Sequence, residues 1–139
     1  MSALVIVEHD SHQLLSATLN VVTAANQLSD VIDLLVIGHQ CDEVVQACQS
    51  LTSVQQVIVV DDESYAHPIA EMLSSVTLSY AKSYTHILAP SDTFGKNFLP
   101  RVAASLDVGQ ISDVVEILDE STFKRPMYAG NVIAKVRSH

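Results

Sequence analysis

The sequence predicts an α/β domain of the three-layer, Rossmann-like kind, with a mostly parallel sheet and helices on both faces. Three observations carry this. Short apolar runs alternate with stretches of helical periodicity four times in succession between Ala3 and Leu106. The first run, Ala3 to Val7, is apolar without a break, as a strand covered on both faces requires. Right-handed crossovers between such units make a parallel sheet the economical packing, with a strand order near 3-2-1-4-5.

In chain order, the strand Ala3–Val7 is followed by Asp10, placed to cap a helix, with Gln13 three residues on as its reciprocal partner. Leu14, Leu15, Thr18, Val21, Val22, Ala25 and Leu28 repeat at helical spacing. A second buried strand runs from Val31 to Ile37, closed by Gly38, and a shorter helix carries Cys41, Val44, Val45 and Cys48. The third strand, Val57–Val60, ends in three acids, Asp61-Asp62-Glu63. Pro68 suits the first turn of the next helix, whose stripe is Ile69, Met72, Leu73, Val76 and Tyr80.

His86–Ala89 is the fourth strand, and Pro90-Ser-Asp-Thr-Phe-Gly-Lys-Asn leads into the fourth helix. Proline is tolerated near a helix start, so Pro100 places that start at Lys96 or Asn97. Ile111–Ile117 reads as a fifth strand. Phe123–Tyr128 and Val132–Val136 flank Ala129-Gly-Asn131, a link that predicts a carboxyl-terminal β-hairpin. No internal repeat or linker interrupts the chain, which reads as one domain, 1–139. Ending just after a strand, it reads as part of a longer protein.

A chain of 139 residues can bury roughly two-thirds of its unfolded surface. Charges interrupt it often enough to exclude an apolar span of about 20 residues, so no direct membrane insertion is expected. A formal charge of −9 argues against nucleic-acid binding, which needs a basic face to release counterions. The charge is also polarised: residues 1–81 hold ten acids and no Lys or Arg, while all seven bases lie at or after Lys82. This is either a solvated acidic face or a surface that orients the domain against a partner. Cys41 and Cys48 are separated by about 10 Å of helical rise, too far for a disulfide, and read as small core residues. No secretory or organellar leader is recognisable, so a bacterial-type cytoplasm is expected, or a mitochondrial matrix for a processed form.

Chemistry-bearing motifs are sparse. The four glycines, at 38, 95, 109 and 130, make no dinucleotide fingerprint, and Glu8-His9-Asp10 fills the turn where one belongs. Gly95-Lys96 lacks the upstream glycine of a phosphate loop. His9, Asp10, Ser91, Asp92 and Thr93 should gather at the carboxyl edge of the sheet, with Asp61 and Asp62 close by. Carboxylates beside helix amino-termini oppose phosphate, so poor nucleotide binding is expected there. His9 and His12 with Asp10 and Asp92 do not form a closed metal-ligand set. Ser91 and His9 lack a third orienting partner, so no hydrolase and no catalytic residue is expected.

Phe94-Gly-Lys-Asn, Leu99-Pro-Arg-Val-Ala-Ala104, Ile111-Ser-Asp113 and Tyr128-Ala-Gly-Asn131, with the opening Leu4-Val-Ile-Val-Glu-His9, resemble the amino-terminal domain of the electron transfer flavoprotein alpha subunit. The resemblance implies a scaffolding and subunit-association role. FAD would be held mainly by a carboxyl-terminal domain outside this chain, with none bound here. It also implies a beta subunit as partner, dehydrogenases such as acyl-CoA dehydrogenases as electron donors, and a membrane-associated acceptor. Phe94, Gly95, Lys96, Asn97, Arg101, Tyr128, Gly130 and Asn131 are the candidate partner or interdomain contacts it singles out, against the plainer reading that they serve only the fold. The rival reading is a small nucleotide-binding module of the universal-stress or adenine-nucleotide hydrolase type, which should carry a glycine-rich phosphate loop.

Overall fold

The computed structural model describes residues 2–90 and 94–108 with their side chains, and the backbone alone at residue 93 and in strands 110–114, 116–119, 122–124 and 130–134. Four strand–helix units come first: β1 (Ala3–Ile6), α1 (Ser16–Ala25), β2 (Ile32–Gly38), α2 (Asp42–Gln49), β3 (Gln56–Asp61), α3 (Ala70–Tyr80), β4 (His86–Ala89) and α4 (Thr93–Leu106). Four further strands follow: β5 (Gln110–Val114), β6 (Glu116–Asp119), β7 (Thr122–Lys124) and β8 (Gly130–Ala134).

The fold is α/β, with β3, β2, β1 and β4 all parallel and in that order. Residues alternate between two cores. Ala3, Val5, Leu34 and Val36 pack with Val21 and Val22 of α1 and Val44 of α2. Leu4, Ile6, Leu35 and Ile37 pack with Leu73 of α3 and Phe98 and Val102 of α4. Helices on both faces explain the unbroken apolar runs: every position of β1 and β2 is buried. Edge strand β3 is only partly covered, and Val59 stays exposed.

Beyond β4 the sheet departs from the expected order. β8 lies next to β4, antiparallel, and β5 pairs with the far side of β8. β5 keeps the direction that a crossover through α4 demands but sits one strand farther out. The expected hairpin across Ala129–Asn131 is not the pairing found. Gly130 and Asn131 belong to β8, and the antiparallel partner of β7 is β6. A mixed sheet accepts such an antiparallel strand beside a parallel one.

Two helix starts also differ. Asp10 does not cap α1: its Oδ1 accepts from the His12 and Gln13 amides at 2.9 and 2.6 Å, closing a local turn, and the helix begins at Ser16. A short polar side chain bonding to nearby backbone competes with helix here. α4 begins at Thr93, so Pro100 lies inside it. Interior proline costs about 3 kcal/mol, but Phe98, Leu99 and Val102 are fully buried, at about 1.5–3 kcal/mol each. Packing wins over the local penalty. The Ser74 hydroxyl of α3 adds a tie, 3.2 Å from the Phe98 carbonyl.

Candidate functional site at the carboxyl edge

The turns after β1, β2 and β3 meet at one edge of the sheet, where such folds place ligands. His9 leaves β1 and crosses to β2. Its Nε2 is 2.9 Å from the Ile37 carbonyl, and its Nδ1 accepts from the Ser11 amide at 2.9 Å. An amide donating to Nδ1 fixes the ring proton on Nε2, which donates to Ile37. Both nitrogens are therefore committed to backbone. Ser11 holds a left-handed conformation, φ 77°, that lets this turn close.

Asp61, at the end of β3, organises the neighbouring turn. Its carboxylate accepts from the Gln40 amide at 3.0 Å, the Cys41 amide at 3.3 Å and the Cys41 thiol at 3.4 Å. The Gln40 and Cys41 amides hold the carboxyl below the ordinary carboxylate range. Asp62 accepts from the amide and hydroxyl of Ser64 at 2.9 and 2.8 Å and is lowered by them. The Gln13 and His12 amides do the same for Asp10. Backbone amides thus compensate all three carboxylates, and each has taken N–H groups that a phosphate would need. Nearby, His39 Nδ1 lies 3.6 Å from Asp61, and exposed His12 Nδ1 lies 3.7 Å from Glu43.

A cavity of about 370 Å³ opens between the His9–Ser11 turn and the segment Tyr65–Pro68, with Ile37, Leu73 and Phe94 as its apolar part. Phe94 packs edge-to-face on Phe98, ring centroids 5.2 Å apart. Sequence reasoning placed His9 and Asp10 here but missed Tyr65 and His67. The signal available was the short span between the acids after β3 and Pro68, which forces a compact turn over the same edge. Cys41 and Cys48 are buried free thiols, both pushed up to about 11, chiefly by burial.

Of the expected contact residues, Gly95 is buried, while Lys96 and Asn97 are exposed on the first turns of α4. Arg101 projects from α4 with Nη1 3.9 Å from Glu71 of α3. The register sets Asn131 directly beside Ala89, the last residue of β4. Gly130 and Asn131 thereby come to the end of the strand that leads into Phe94–Asn97, and two segments distant in sequence share one rim. Tyr128, Ser91 and Asp92 lie outside the described residues, and of Thr93 only the backbone is described.

A family model for the electron transfer flavoprotein domain matches residues 3–139. The chain belongs to the electron transfer flavoprotein family. It is 48% identical over 138 residues to the electron transfer flavoprotein subunit alpha of Pseudomonas aeruginosa, covering 99% of this chain and 45% of that one. The mitochondrial alpha subunit of Dictyostelium discoideum is 43% identical over 145 residues, covering 99% and 41%. A probable mitochondrial alpha subunit of Caenorhabditis elegans is 40% identical over 139 residues, covering 99% and 42%. The chain thus spans less than half the length of these electron transfer flavoprotein relatives. Among the described residues, no helix is long and apolar enough to cross a membrane. The described residues of the carboxyl edge do not fit the pyrophosphate of FAD, because the amides of the Asp10, Asp61 and Asp62 turns are already bonded to carboxylates.

Proposed function

We propose that this chain is the scaffolding and subunit-association domain of an electron transfer flavoprotein alpha subunit, and has no catalytic residues of its own. FAD belongs to a part of the protein outside these residues. The intact protein takes electrons from dehydrogenases, acyl-CoA dehydrogenases among them, and passes them to a membrane-associated acceptor. Its setting is a bacterial cytoplasm or a mitochondrial matrix. The observation that carries the reading is the carboxyl edge. In a domain of nucleotide-binding architecture, amides in the described turns after β1, β2 and β3 are bonded to its own Asp10, Asp61 and Asp62, which supports a positioning role rather than cofactor chemistry.

The rim where Phe94–Asn97 meets Gly130–Asn131 is the contact with the beta subunit or the flavin-bearing part, and Arg101 and Tyr128 are further residues assigned to that contact. Asn97 is exposed at this rim, and segments at strand ends are where recognition concentrates.

Three measurements test this. After gel filtration with excess FAD the chain should emerge colourless, and a yellow, stoichiometric complex would overturn the reading. Co-expressed with a beta subunit, it should co-elute, and Asn97→Ala should weaken the association. Independent elution of both chains would remove the association role, while saturable binding of AMP would favour a nucleotide-binding module instead.

A further inference from the structure

The amino edge of the sheet, opposite the rim described above, holds a buried carboxylate that no cation among the described residues pairs. Asp33 lies in β2, level with Leu4 of β1 and Gln56 of β3, and is 6% exposed. One oxygen, Oδ2, accepts from the Tyr84 hydroxyl at 2.6 Å and from Gln56 Nε2 at 2.9 Å. The other, Oδ1, has no hydrogen-bond partner among the described residues and no access to solvent. None of the ion pairs among the described residues involves Asp33, and no Lys or Arg occurs before residue 82. A buried charge is ordinarily paired.

Asp33 lines a cleft of about 450 Å³, together with Gln56, Tyr80, Ser83 and Tyr84. Burial, then the Asp33 carboxylate, pushes the Tyr84 phenol up to about 12, so the hydroxyl remains a donor and adds no second negative charge. The cleft thus offers one carboxylate, a side-chain amide carbonyl, a serine hydroxyl and two aromatic rings. A planar cation suits that set: it pairs with carboxylate through a fork of N–H donors, stacks on tyrosine and is more weakly hydrated than ammonium.

We infer that this amino-edge cleft is a binding site for a guanidinium group, with the Asp33 carboxylate as its counter-ion and Tyr80 as a wall. A guanidinium in the cleft meets the carboxylate by displacing the Gln56 amide from Oδ2, since Oδ1 is shut off from solvent. The inference goes beyond the scaffold role and stands whether or not that role holds.

The test is an NMR titration of the 139-residue chain with methylguanidinium, with N-acetyl-arginine methylamide and with uncharged N-methylurea, all at millimolar concentration. Saturable shifts confined to residues around Asp33, Gln56 and Tyr84 are expected with the first and absent with the urea. Saturation by the blocked arginine as well identifies a polypeptide side chain as the source; saturation by methylguanidinium alone identifies a small molecule. Asp33→Asn should weaken binding by at least about 30-fold, while Asp30→Asn, at an exposed neighbour, should leave it unchanged. Should Asp33→Asn not fold, Tyr80→Ala serves, with an expected loss of about fivefold. Absence of saturable shifts, equal shifts with the urea, or full binding by Asp33→Asn overturns the inference.

Discussion

The His9 ring occupies the space that a side chain on Gly38 would need. A Cβ placed on Gly38 would lie 2.8 Å from His9 Cε1 and 3.2 Å from Nε2. The ring cannot simply swing aside, because bonds to Ile37 and Ser11 hold both its nitrogens. Gly38 is there for close approach, not for a special backbone angle. Gly38→Ala should therefore destabilise the chain by about 1–3 kcal/mol, as overpacking does. In a double-mutant cycle, His9→Ala should recover part of that loss. Urea denaturation of the four proteins measures it, and strict additivity would refute the contact.

A buried hydroxyl ties helix α3 to helix α4. Ser74 Oγ lies 2.7 Å from the Ala70 carbonyl and 3.2 Å from that of Phe98, so its single proton is shared or alternates. Ser74→Ala should cost about 1 kcal/mol. A shift in denaturation midpoint with unchanged slope is the expected signature.

The two cysteines should resist modification. Each thiol is buried and pushed up to about 11, and the thiolate is the reactive form. A disulfide reagent at mildly alkaline pH should leave the folded chain untouched and label both cysteines in urea. Because folded values are raised above the ordinary thiol value of 9.0, their contribution is intact below that pH. It should fade as pH climbs through about 11, giving an alkaline loss of stability that Cys48→Ala reduces.

Acid should act through the opposite sign. Asp10, Asp61 and Asp62 are all held below 3.8 by backbone amides. Their contribution is present above the unfolded value and disappears as pH falls through the lowered folded values. Asp61→Asn should reduce stability near neutrality and flatten the acid limb of a stability-against-pH curve. A limb as steep as in the parent chain would show that this turn does not carry the effect.

Much of the fold was legible because periodicity reports burial directly. The apolar run at Ala3–Val7 demanded cover on both faces, and helices α1 to α4 supply it. Strand order beyond β4 was not legible, since nothing local in Gly130–Ala134 distinguishes an edge strand from an inserted one. Two helix starts were misread for the same kind of reason. Asp10 looks like a cap but closes its own turn, and Pro100 looks like a boundary until the burial of Phe98 and Leu99 outweighs it. At the carboxyl edge the acids were visible, yet not the amides they occupy, because those bonds depend on which turns meet. Asp33 was overlooked within the run Ile32–Ile37, although a lone acid in a buried strand was itself the signal.

The position of β8 has a consequence for how the molecule is made. As the chain leaves the ribosome, β4 is complete about 40 residues before the strand that will lie beside it. Until Gly130–Ala134 arrive, the parallel half of the sheet carries an open side of unpaired amides and carbonyls, the kind of template on which nascent chains stick to one another. Yield in the cell should therefore depend on how quickly Gly130–Ala134 insert, and a chaperone that shields β4 in the interval should raise it.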